Sequence, residues 1–263
     1  MGEVNGKAKL ELGDDLRLAC IVANYERIKF MSGKRILIFA ILIVATLALI
    51  SIAVIGFGGD GITTEGGLYT YISFSELLIL IGATLFSSVT LVSEFEERTS
   101  LMLFTKPIRK SSIFVGKFAA AFILNAALML FYYVVSAIMI AIKTGGFTDN
   151  IFPSFGLCLI YIFSLTGIAI FFSALMKKSS SASILTFIFI LLVPTIVGLV
   201  IAAVATSSGS TADLWFILDS ASVSVVNTIK GTVENGPRDI LVMLVWGLVP
   251  TIAGYYFFKR REV

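Results

Sequence analysis

The chain has 263 residues, 57% of them hydrophobic and 14% charged, with a mean hydropathy of +0.98 and a formal net charge of +3. Soluble domains average roughly 45–50% apolar and about 25% charged residues, so this composition excludes a soluble globular domain. Repeated apolar runs near 20 residues point instead to an all-α polytopic membrane protein.

The absence of histidine removes Ser-His-Asp triads, HExxH zinc sites and most imidazole proton relays. Cys20 and Cys158 fall in a helix outside the bilayer and inside a predicted span, which argues against a structural disulfide.

Residues 1–15 are polar and read as a flexible tail. They lack the basic stretch, apolar run and cleavage site of a signal peptide, and the Ser or Thr of a myristoylation signal. Residues 16–34 read as an amphipathic interfacial helix. Leu18, Ile21, Val22, Tyr25 and Ile28 share one side, and Arg17, Asn24 and Arg27 another. Asp14 or Asp15 suits its N-cap, and Tyr25 and Phe30 suit headgroup depth.

Residues 35–263 divide into six predicted spans, at about 35–57, 68–92, 118–142, 153–176, 182–205 and 239–258. At ~1.5 Å per residue, runs of this length cross a hydrocarbon core of ~30 Å. Span 2 is interrupted only by Glu76, a carboxylate that is costly against lipid. It lies near the outer end, so reaching headgroups and lining a cavity both remain open. Asn125 in span 3 wants a partner on a neighbouring helix. Gly145-Gly146 ends that helix, Pro153 suits the first turn of span 4, and Pro194 predicts a fixed bend in span 5. Residues 206–237 are too polar to span and read as one or two short outer helices, with Trp215 as an interfacial anchor.

The bases set the orientation. With the N-terminus, the loops after spans 2 and 4 and the C-terminus on one side, that side carries seventeen of the 20 Lys and Arg residues. Three (Lys143, Lys230 and Arg238) remain on the other. This positive-inside bias places both termini in the cytoplasm.

The loop after span 2, residues 93–117, is organised as a short charged segment. Glu94, Glu96 and Glu97 open it, and Lys106, Arg109, Lys110 and Lys117 close it. Between them, a brief amphipathic helix is predicted. Thr99 or Ser100 caps it, Leu101, Leu103 and Phe104 form an apolar side, and Pro107 stops it. A loop that merely turns the chain needs no such helix, so this one is expected to dock on something. The carboxylates are expected to pair with Arg98, Arg109 or a partner's bases.

The ordered string Glu94, Glu96, Thr99, Pro107-Ile108-Arg109 and Gly116-Lys117, with the six-span layout and the basic C-terminal end, resembles the ABC-2-type transporter permeases. The resemblance covers nearly the whole chain. It implies that residues 16–34 are the family's elbow helix and that small outer helices lie between spans 5 and 6. It also implies that 93–117 is the coupling segment seated in a separate ATPase subunit. In that reading Glu94 and Glu96 position the coupling helix, Leu101, Leu103 and Phe104 dock, and Thr99, Pro107, Ile108 and Arg109 complete the contact, with Arg109 as an anchor.

This chain has no Walker A sequence, since Ile28 and Ser111 stand where its first glycine would fall. It is therefore expected to be no enzyme, to bind no cofactor or metal of its own, and to leave ATP and Mg²⁺ to the partner subunit. The resemblance further implies a plasma-membrane exporter working by alternating access with a second, identical permease chain. Spans 1, 2 and 5 would line its pathway, and Ser73, Glu76, Thr84, Ser87, Ser88, Thr90 and Thr195 are the polar residues those spans offer. With otherwise apolar walls, they suit an amphiphilic or lipid-like cargo better than a bare ion. The alternatives are a stand-alone channel or secondary transporter, for which the spans offer only Glu76 and Asn125, and a membrane scaffold that carries nothing.

Overall fold

The computed structural model describes residues 12–57, 61–96, 110–207, 214–233 and 235–260. Among them all regular structure is helical. Helix α1, Leu12–Met31, precedes six helices long and apolar enough to cross a membrane. These are span 1 (α2, Lys34–Ser51, continued by a π-helical stretch, Ile52–Phe57), span 2 (Thr64–Glu96), span 3 (α6, Lys110–Thr144), span 4 (α7, Ile151–Leu175), span 5 (α8, Ser179–Ser207) and span 6 (α10, Gly236–Arg260). A short helix α9, Leu218–Asn227, lies between spans 5 and 6. It buries Ala221, Val225 and Val226 over spans 2, 4 and 6.

Span 2 corrects the expectation of one tidy helix. It is built of α3 (Thr64–Ser73), α4 (Ser75–Leu85), a 3₁₀ turn (Ser87–Val89) and α5 (Val92–Glu96). Backbone that leaves the helix inside a membrane protein must find other partners, and here it does. The amides of Leu91 and Val92 both donate to Ser173 Oγ of span 4, at 3.0 Å each. The carbonyl of Thr90 accepts the ammonium of Lys117 at 3.0 Å.

Span 3 also differs from the sequence boundaries. It begins at Lys110 rather than near 118. Its 35 residues, at ~1.5 Å each, extend to about 52 Å, well over the ~30 Å hydrocarbon core. The helix is thus longer than a crossing requires, and α1 packs against its first turns. Gly116 makes that crossing close: a Cβ there would lie 2.6 Å from the Ala19 carbonyl and 2.9 Å from Val22.

Spans 2, 3 and 4 make the interior, and spans 1, 5 and 6 lie around it. Span 1 buries one stripe, Phe39, Ile43, Leu47, Ile50 and Val54, at helical spacing against that interior. Spans 4 and 6 meet through small residues. A Cβ on Gly167 would strike the Gly247 carbonyl, one on Gly247 would lie 2.6 Å from the Phe163 ring, and one on Gly254 would lie 3.1 Å from Phe171 Cα. Ser164 Oγ donates across the same crossing to the Met243 carbonyl at 2.5 Å. Close backbone approach with a hydroxyl bridge is how helices associate where lipid supplies no hydrophobic drive.

Helix α1 presents a different face to the protein from the one the apolar pattern suggests. Ala19, Glu26 and Phe30 are buried, while Ile21, Tyr25 and Ile28 stay exposed. The sequence places the exposed three in the apolar stripe suited to a lipid interface. The acid on the opposite side is the one the protein covers.

Candidate functional site

The first site lies at the end of the bundle that carries Lys34, Lys110, Lys177 and Arg260. Lys117 is 1% exposed and sits between two carboxylates, Glu26 Oε2 at 2.8 Å and Glu94 Oε1 at 2.9 Å, with the Thr90 carbonyl as its third acceptor. An ammonium has three donors, and all three are used. Glu26 comes from α1, Thr90 and Glu94 from the end of span 2, and Lys117 from the start of span 3. The cluster thus fastens both ends of the 97–109 segment to each other and to α1.

Glu96 goes elsewhere. Its Oε2 accepts the Ser179 amide at 2.9 Å and the Ser179 hydroxyl, capping the first turn of span 5. Two residues apart on a helix of ~100° per residue, Glu94 and Glu96 point to nearly opposite sides. One acid therefore holds α1 and span 3, and the other holds span 5. Among the described residues their partners include Lys117 and Ser179; Arg98 and Arg109, expected for them from the sequence, lie outside the described residues. So do Thr99, Leu101, Leu103, Phe104, Pro107 and Ile108. Lys117, grouped with the loop bases in the sequence, is instead a buried member of the bundle.

The polar residues expected along spans 1, 2 and 5 are not brought to one place. Ser73 and Thr195 are exposed, each donating to the carbonyl four residues earlier on its own helix. Ser87 is fully buried and accepts the Asn125 amide at 3.3 Å, which gives Asn125 the interhelical partner its position calls for. Ser88 is buried too and bonds Ser183 of span 5 at 2.8 Å. Glu76 lies half-buried beneath α9, within reach of the Ser222 hydroxyl and close to Asp219, and its Oε1 has no hydrogen-bond partner among the described residues.

A cavity of about 550 Å³ opens at the basic end, between α1, span 1, the end of span 2 and the start of span 5. Nothing in the sequence singled it out, because its walls come from four stretches that are distant along the chain.

Helices of this length and apolarity, stitched by small residues and a few buried hydroxyls and carrying one charged cluster at the basic end, define a multi-pass helical membrane protein. The sequence profile of the ABC-2 family transporter proteins matches residues 64–256, and the chain belongs to that family. The match runs from span 2 into span 6 and leaves α1 and span 1 outside it. No individual curated protein matches the chain. Proteins of this family are membrane components of transporters of the cell membrane and generally work with an ABC ATPase subunit.

Proposed function

We propose that this chain is the permease subunit of an ATP-driven exporter, oriented with its basic end in the cytoplasm. A separate ATPase subunit docks on the 93–117 segment, and a second copy of the chain completes the pathway. The observation that carries this reading is the split of Glu94 and Glu96. The base of the docking segment is tied through Lys117 to α1 and span 3, and through Ser179 to span 5. A displacement of the segment by a partner is then delivered to two sides of the bundle together, with Lys117 and Ser179 as positioning residues. Leu101, Leu103 and Phe104 supply the docked apolar face, and Thr99, Pro107, Ile108 and Arg109 frame it.

ATP and Mg²⁺ belong to the partner. Alternating access follows when the ATP-bound partner fits one arrangement of the spans better than the other, since equal fit shifts nothing. The pathway runs along spans 1, 2 and 5, past Ser73 and Thr195. Their open apolar faces suit an amphiphilic cargo.

Copurification tests the reading. A tagged chain expressed with its genomic neighbours brings down an ATPase, and Leu103→Arg releases it while leaving the permease folded. Retention of the ATPase by Leu103→Arg would place docking elsewhere. Glu96→Ala keeps the ATPase bound but lowers transport per ATP hydrolysed; unchanged coupling would remove the link to span 5.

A further inference from the structure

The cavity at the basic end has the make-up of a headgroup site. Two of its walls carry three bases: Lys29 on α1, and Lys34 and Arg35 at the start of span 1. Its two acids are already engaged, Glu26 by Lys117 and Glu96 by the amide and hydroxyl of Ser179. Lys177 and Lys178, exposed immediately before Ser179, add to the positive field. Hydroxyls of Ser93 and Ser180 also line the space, Ser93 within 3.4 Å of Lys29 Nζ.

Apolar lining comes from Phe30 on α1 and Val89 on span 2. Above the cavity, both flanking spans leave aliphatic side chains uncovered: Ile38 and Ile41 on span 1, Ile184 and Ile188 on span 5. A volume of about 550 Å³ falls inside the ~300–1,000 Å³ range of small-molecule sites. Basic pockets between spans on the cytoplasmic side bind anionic lipid headgroups, and the uncovered aliphatic side chains of the two flanking spans suit acyl chains.

We propose that this pocket binds the phosphate-bearing headgroup of an anionic amphiphile, a phospholipid of the leaflet on the basic side, with Lys34 and Arg35 as its principal contacts. Span 1 begins there with Gly33 as its N-cap and two bases but no acid in its first turn. That end of a helix ordinarily disfavours positive charge, and a bound phosphate resolves the conflict. The assignment rests on the cytoplasmic orientation proposed above.

The test uses the full-length permease in nanodiscs, with retained lipid measured by native mass spectrometry. The discs contain phosphatidylglycerol and phosphatidylcholine in equal amounts. Wild type retains phosphatidylglycerol preferentially. A hydrogen bond to a charged group is worth roughly tenfold or more, so loss of both direct contacts in Lys34→Gln/Arg35→Gln lowers retention at least tenfold. Lys177→Gln/Lys178→Gln removes the same charge next to the cavity but not from its lining, and lowers retention less than twofold. An equal loss in both variants would show diffuse surface attraction and overturn the site. Displacement of the lipid by millimolar inorganic phosphate would assign the pocket to a soluble phosphate compound instead. A thermal midpoint for Lys34→Gln/Arg35→Gln within about a degree of wild type separates lost binding from lost fold. Labelling of Cys20 by a membrane-impermeant maleimide in sealed cells tests the orientation separately; labelling from outside would overturn the orientation without touching the lipid result.

Discussion

Spans 4 and 5 are neighbours in the chain, joined by three residues, and they meet opposite fates. In span 4, 61% of the most apolar stretch is buried, against 6% in span 5, although span 5 is the more apolar of the two. In water this order would be perverse. In lipid it follows directly, because an Ile or Leu gains nothing by leaving acyl chains for protein. What buries span 4 is its small and polar residues: Gly167 under the Gly247 carbonyl, Ser164 on Met243, Ser173 on the freed amides of span 2 and Ser154 on the Val225 carbonyl. Span 5 uses its hydroxyls mostly near the basic end, at Ser179 and Ser183. Its other half, from Leu191 to Val204, shows Leu199, Val200 and Val204 to whatever surrounds it. That face meets lipid or a second chain, and the proposed pathway needs the second chain.

The largest effect is expected where an outer element is fastened to the packed interior. Removing one partner of a buried ion pair costs roughly 3–5 kcal/mol, and Lys117→Met leaves Glu26 and Glu94 facing each other. Its thermal midpoint in detergent should fall accordingly, and α1 should become the first site of proteolysis. The triple variant Lys117→Met/Glu26→Gln/Glu94→Gln should recover most of the loss, since the penalty lies in stranded charge. No recovery would mean that the lost hydrogen bonds, including the one to the Thr90 carbonyl, outweigh the stranded charge.

A matched pair of glycines sharpens the contrast between bound and bare helices. Gly247→Leu drives a side chain into Phe163 and the backbone at Ser164. Overpacking of this kind costs typically 1–3 kcal/mol. A Cβ on Gly198 of span 5 would meet, among the described residues, only Leu214 and Ile217, at 3.8 and 4.0 Å, so Gly198→Leu should leave the stability of the single chain within about 0.5 kcal/mol. Chemical unfolding of both variants in one detergent measures the difference. Crosslinking between copies in membranes adds the second half: weaker crosslinking of Gly198→Leu would put the bare half of span 5 at the contact between chains.

The apolar helices were legible in sequence because membrane crossing is written in run length and composition. Asn125 was legible as well, since an amide in lipid has few alternatives to a protein partner. Lys117 was not, for a specific reason. Bases beside a span ordinarily report topology, and a span 3 started near Phe118 left Lys117 in the loop. With the helix begun at Lys110, Lys117 falls in line with Ile113, Ala120, Ala121 and Leu124, all buried. The spacing that gave it away was present but belonged to turns standing outside the apolar run. Glu26 was concealed similarly, since Ile21, Tyr25 and Ile28 formed the more obvious stripe. The breaks in span 2 have no comparable signature, because the groups that permit them, Ser173 and Lys117, come from spans 3 and 4.

The smallest expected effect separates stability from transport. Ser164 and Thr195 are both hydroxyl residues inside spans, but their hydrogen bonds differ in reach. Ser164 bonds span 6 through the Met243 carbonyl, whereas Thr195 returns its proton to Leu191 of its own helix and stands open to the surroundings. Interhelical side-chain bonds in membranes average about 0.6 kcal/mol, so Ser164→Ala should shift unfolding by roughly that amount and leave transport per folded molecule intact. Thr195→Val keeps shape and breaks no contact between helices, so unfolding should stay within error. If spans 1, 2 and 5 form the pathway, its effect appears only in transport rate or cargo preference. A stability loss in Thr195→Val that matches Ser164→Ala would show that the open face of span 5 is itself a packed interface, and the pathway would have to run elsewhere.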